Sequence, residues 1–168
     1  MKNSKIRYIT YMGIMLALAV TLQFLEGLIP VPLPLGVKAG FSSIVVMYVM
    51  LKNNLRSALS IAVIKSSFVF ITRGFSAFCM SISGGLLSVI MMWLCMKIMQ
   101  RKNNNTGLLL FSVTGGLFHN IGQLAAATVI AGSLYTLSYL PILAVAGIIS
   151  GIFTGTLLKI LMTRLHKY

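Results

Sequence analysis

The 168-residue chain contains no aspartate and a single glutamate, Glu26, so the whole sequence holds one acidic side chain. That excludes every mechanism built on paired carboxylates: two-carboxylate glycoside hydrolysis, aspartic proteolysis and carboxylate-bound Mg²⁺ clusters. Charge of any sign is scarce. Charged residues make up 9% of the chain, against roughly 25% in a soluble domain. The two cysteines, Cys79 and Cys95, lie 16 residues apart in one apolar run, about 24 Å along a helix. They cannot pair within it, and His119 and His166 are too far away in sequence to complete a metal-ligand spacing. No G-x-x-x-x-G-K-[ST] run is present, which excludes ATP binding through a P-loop. No metal or cofactor is expected.

What is present is hydrophobic: 58% of the residues are apolar and mean hydropathy is +0.95. The composition predicts an all-α integral membrane protein forming a single transmembrane domain over 1–168. A bilayer core takes roughly 20 apolar residues per helix. Six spans are expected, at about 8–28, 39–51, 55–72, 75–99, 107–131 and 137–162. The first stops at the proline-rich stretch Pro30–Pro34. The second is short and is expected to begin as an irregular, protein-buried segment. The first apolar run continues past Ala17-Leu18-Ala19, so it is expected to be a span rather than a cleaved signal peptide.

The net charge of +13 does not point to nucleic acid, because the basic residues are scattered between apolar runs. They follow the positive-inside rule. With both termini in the cytoplasm, eleven of the fourteen Lys and Arg residues fall on the inner side. These are Lys2, Lys5 and Arg7; Lys52 and Arg56; Lys97, Arg101 and Lys102; and Lys159, Arg164 and Lys167. Lys38 and Arg73 fall outside, and Lys65 falls within a span.

Lys65 lies about ten residues, or roughly 15 Å, into the third span. A lysine at that depth costs on the order of 3 kcal/mol and is expected to face the protein interior or a wet cavity. Arg73 follows eight residues later, about 80° around the helix at 100° per residue, so both side chains can flank one cavity. With Lys38 they form three cations converging on the outer half, and Glu26 alone can neutralise them. That predicts an anion-binding pocket open to the outside. The alternative is that Lys65 snorkels or pairs with Glu26 while Arg73 and Lys38 anchor to headgroups.

The fifth span carries Gly115-Gly116-x-x-His119-Asn120-x-x-Gln123. His119 and Gln123 share a face, and the run reads either as a ligand-orienting set or as hydrogen-bonding glue between helices. Gly147, Gly151 and Gly155 make a small-residue stripe suited to tight helix packing, and Gly13 with Ala17 repeats the spacing on the first span. Ser81, Gly84, Gly85 and Ser88 form a further patch. With no ATP site and no acidic group for proton coupling, any transport must draw its energy from a partner.

Several stretches resemble a bacterial family known as heptaprenyl diphosphate synthase component I or the Gx transporter family. They are Leu25-Glu26 before the proline-rich loop, Pro34-Leu35-Gly36-Val37-Lys38-Ala39-Gly40, Ser81-Ile82-Ser83-Gly84-Gly85-Leu86-Leu87-Ser88, and His119-Asn120-Ile121-Gly122-Gln123. The resemblance covers nearly the whole chain. It departs at Ser43-Ile44, where an Asn-Ile pair is expected, and at Lys65, where the family often carries Arg.

The resemblance implies the S-component fold of energy-coupling factor importers, in a bacterial cytoplasmic membrane. Joined to the residue reading, this predicts capture of a small, anionic solute whose charge is held by Lys38, Lys65 and Arg73 and which His119, Asn120 and Gln123 orient, with Glu26 in the same site. A coupling membrane subunit with its ATPases would dock on Gly13 and Ala17. Links of the family to prenyl, quinone or flavin systems bring an anionic isoprenoid, a quinone precursor or a flavin-like solute into view. The synthase name does not imply catalysis here. Prenyl diphosphate synthases hold Mg²⁺ on Asp-rich motifs, which this chain lacks, so no enzyme is expected. A non-catalytic membrane accessory to a synthase or a redox system is the alternative. A passive channel is the weakest reading, since no ring of pore-lining groups is evident.

Overall fold

The computed structural model describes residues 2–28, 40–100 and 107–165, and these are helical almost throughout. In chain order they form α1 (Lys2–Leu28), α2 (Phe41–Lys52), α3 (Leu55–Arg73), α4 (Phe75–Gln100) and α5 (Gly107–Ala131). A 3-10 segment (Leu134–Tyr139) then leads into α6 (Leu140–Leu165). The 3-10 turn occupies the start of the region expected for the last span. The α-helix therefore begins at Leu140, immediately before Pro141, where a missing N–H costs nothing.

Short, specific signals separate the helices. Asn54 caps α3: its side chain accepts from the Ser57 backbone N–H at 3.0 Å. Gly74 ends α3 and starts α4 as the only residue between them. Its φ of +84° is a region that side chains rarely adopt, and its N–H donates to the Phe70 carbonyl.

Among the described residues, five helical stretches are long and apolar enough to cross a membrane: Lys5–Leu28, Leu55–Arg73, Phe75–Met99, Gly107–Ala131 and Leu134–Arg164. α2 is not among them. Its 12 residues reach about 18 Å, well short of a hydrocarbon core of about 30 Å. Yet α2 is the centre of the bundle, since Met47, Val49 and Met50 are fully buried there among Ile61, Met92 and Phe111. Its first residues lie beside the middle of α6: the Phe41 ring meets Phe153 edge-on at 5.5 Å. The expected second span is therefore a half-length helix that starts deep inside the bundle.

Glycines allow the long helices to touch backbone to backbone. A Cβ at Gly122 of α5 would lie 2.7 Å from the Ser83 carbonyl of α4, and one at Gly151 of α6 would lie 2.6 Å from the Val113 Cα of α5. Gly147 faces the α5 backbone in the same way, and Gly155 faces the Ser112 side chain of α5. Hydroxyls then bridge the seams. Ser83 donates to the Gly122 carbonyl, Ser88 donates to the Gly115 carbonyl (both 2.9 Å), and Ser112 and Thr154 share a bond of 3.0 Å. Such bonds contribute roughly 1 kcal/mol each between apolar helices. α1 is the least enclosed of the five long apolar stretches: 11% of its apolar window is buried, against 39% for α3 and for α4.

Candidate functional site

A cavity of about 300 Å³ lies beside the N-terminus of α2, lined there by Gly40, Ser42 and Ser43. It lies toward the end of the bundle where α1 and α3 finish and α4 begins. α3 contributes Lys65 and Arg73, α1 contributes Glu26, and α5 contributes His119, Asn120 and Gln123. Six side chains singled out in the sequence, from three separate helices, thus line one chamber. Lys38 and the stretch Pro30–Pro34 lie outside the described residues. Gly13 and Ala17 lie elsewhere, on the exposed side of α1, and nothing comes within 4 Å of a Cβ placed on Gly13.

Lys65 is buried, 5% exposed, and its Nζ donates to Ser42 Oγ at 3.1 Å. Its ammonium is thereby held at the first turn of α2 and does not reach along α3 toward a membrane surface. Glu26 is buried to the same extent, and its Oε1 accepts from the Gly40 N–H, tying the end of α1 to the start of α2. Gly40 holds φ at +84° beside Thr154. The N-terminus of α2, carrying its partial positive charge, opens on the same chamber as Lys65 and Arg73. Among the described residues, one carboxylate lines this chamber against two basic side chains and a helix N-terminus, an excess of positive charge.

The polar run on α5 divides its labour. Asn120 Nδ2 donates to the Leu143 carbonyl of α6 at 2.9 Å, so this side chain does act as glue between helices. His119 and Gln123 instead bond to each other, ring nitrogen to amide nitrogen at 3.1 Å. Both press against α4 at Gly84, where a Cβ would meet the His119 carbonyl at 2.7 Å. The absent side chain at Gly84 is what lets the His119–Gln123 pair sit at the chamber wall. Of the two adjacent glycines, Gly116 lines the cavity; Gly115 packs against Met92 and Met47.

Sequence reasoning did not single out Gln23, Ser42 or Thr154, which also line the chamber. Gln23 carried a usable signal, since it lies three residues before Glu26 in an otherwise apolar stretch and so shares its face. Ser42 and Thr154 gave none, because hydroxyls in apolar helices commonly satisfy their own backbone.

Searches of curated proteins and of solved structures returned no match. A family model described as heptaprenyl diphosphate synthase component I matches residues 15–161, a stretch that includes every residue of the chamber. On that match the chain belongs to the heptaprenyl diphosphate synthase component I family.

Proposed function

We propose that this protein is the substrate-capture subunit of an importer of the energy-coupling factor type, binding a small anionic solute from outside the cell. The observation that carries the reading is the single chamber in which Lys65 and Arg73 face His119 and Gln123 with only Glu26 as a counter-charge. In this reading the chain crosses a bacterial cytoplasmic membrane six times, with α2 counted as the short second crossing. Both termini are cytoplasmic, which puts the Arg73 end of the bundle outside, as the distribution of basic residues favours. Lys65 and Arg73 neutralise the solute, Lys38 adds a third cation, and His119, Asn120 and Gln123 orient it. The open stripe at Gly13 and Ala17 receives a coupling subunit whose ATPases drive release.

A second reading rests on the family's description. The chain would then be a non-catalytic membrane component that anchors a polyprenyl diphosphate synthase. Affinity purification from native membranes separates the two. Recovery of a coupling subunit with ATPases supports import, and recovery of a soluble synthase alone supports anchoring. Native mass spectrometry of the extracted protein tests capture directly: the first reading requires a retained small anion that Lys65→Ala loses.

A further inference from the structure

Among the described residues, three neutral amides line the chamber: Gln23 from α1, and Asn120 and Gln123 from α5. Two of them are already engaged. Asn120 Nδ2 donates to the Leu143 carbonyl, and Gln123 Nε2 lies 3.1 Å from His119 Nε2. Gln23 differs. It is 7% exposed, and its Oε1 is enclosed with no hydrogen-bond partner among the described residues. Glu26, the next polar group on the same face of α1, is spent on the Gly40 N–H.

A buried acceptor left unmet costs more than an apolar side chain of similar shape. Gln23 therefore weakens the empty protein, and packing gives no reason for an amide there. The torsion that carries the amide is broad, so Oε1 can turn toward the chamber that the residue lines.

Whatever meets this oxygen has to be a donor, and a neutral one. Arg73 lines the same chamber and crosses from α3 to α1, its guanidinium lying where a side chain on Gly27 would stand. Gly27 is one turn along α1 from Gln23, so a cationic donor at Gln23 would face like charge. α1 packs on α2 and α3, whereas α5 packs on α4 and α6. Gln23 and the His119–Gln123 pair thus stand on separate walls, and a solute held at both is polar at two places.

We propose that Gln23 is a specificity residue of this chamber: apart from its acidic group, the solute carries a neutral O–H or N–H donor that the Gln23 carboxamide oxygen accepts. This rests on the capture reading above and adds a second recognition element. An analogue without the donor is rejected because the buried oxygen then stays unpaired.

The test uses the full chain in phosphatidylcholine nanodiscs, washed free of solute, with empty nanodiscs as the partition control. The probes are the ω-hydroxy carboxylic acids of four and six carbons, each beside the acid that carries a methyl group in place of the hydroxyl, pentanoate and heptanoate. Their flexible chains let the hydroxyl find the amide wherever the carboxylate is held. The wild-type chain is expected to prefer the hydroxy acid about fivefold at one length or both, the worth of one net hydrogen bond. Gln23→Met is expected to lose that preference and, without solute, to melt about 2–4 °C higher, since it removes the unmet acceptor. Absence of a hydroxyl preference at both lengths overturns the proposal, as does a preference that survives Gln23→Met. In either case capture stands if Lys65→Ala weakens binding of all four acids. A lower melting temperature for solute-free Gln23→Met also overturns it, by showing that the oxygen is met within the empty protein. Failure of all four acids to bind above the empty-nanodisc level overturns the capture reading and this proposal together.

Discussion

Lys65 Nζ lies 3.1 Å from Ser42 Oγ, so the buried cation of α3 is held at the first turn of α2, inside the bundle. α2 starts there because its neighbour Gly40 is pinned by Glu26. The only acid in the chain therefore fixes where the helix begins, and the helix begins where the lysine needs a partner.

Lys65→Met is expected to abolish anion binding, lowering affinity at least about tenfold, while leaving thermal unfolding in detergent unchanged or slightly raised. A well-packed apolar side chain of similar length is often neutral or stabilising in place of a buried charge. Equilibrium binding and a melting curve on the same sample check both halves.

Glu26→Gln is expected to keep the tie to Gly40, since an amide oxygen accepts the same N–H. Glu26→Leu is expected to lose it and to cost about 1 kcal/mol, as the partly buried Gly40 N–H loses its acceptor. Denaturant midpoints for the pair measure the difference. Equal midpoints would show that the contact does not hold α2.

Asn120→Ala is expected to lower stability by about 1 kcal/mol through the lost bond to the Leu143 carbonyl. His119→Ala is expected to act mainly on ligand binding, since His119 lines the chamber beside Gln123. Parallel melting and binding curves separate the roles; identical profiles for the two variants would contradict the division.

Gly151→Leu is expected to cost about 1–3 kcal/mol or to prevent assembly, because the new side chain meets the α5 backbone at Val113. Gly13→Leu is expected to leave the melting temperature unchanged, since the space around that position is open. If Gly13 serves docking, the same variant loses co-purifying membrane subunits. Scanning fluorimetry and affinity purification read the two effects.

Much of this was legible along the chain. Helical class and membrane character follow from long apolar runs with few charges, because a backbone in hydrocarbon must satisfy its own hydrogen bonds within a helix. Lys65 and His119 stood out since ionisable groups are expensive within a span, and Arg73 stood out through its helical register with Lys65. Asn120 was ambiguous for a physical reason: one amide can bond a neighbouring helix and still face a cavity. Gln23 and Ser42 passed unnoticed because uncharged polar groups cost too little to betray their direction.

From sequence alone the protein is helical and suited to a bilayer, and it carries cations too costly to leave in lipid. Those properties belong to single residues and their immediate neighbours, so composition and spacing settle them. Tertiary structure decided that α2 stops half-way, that three helices aim their rare polar groups into one chamber, and that Arg73 crosses to Gly27 at a lateral seam. Those relations depend on how apolar helices of nearly uniform hydrophobicity rotate and approach one another. The small-residue contacts that set such rotations join positions far apart in the chain.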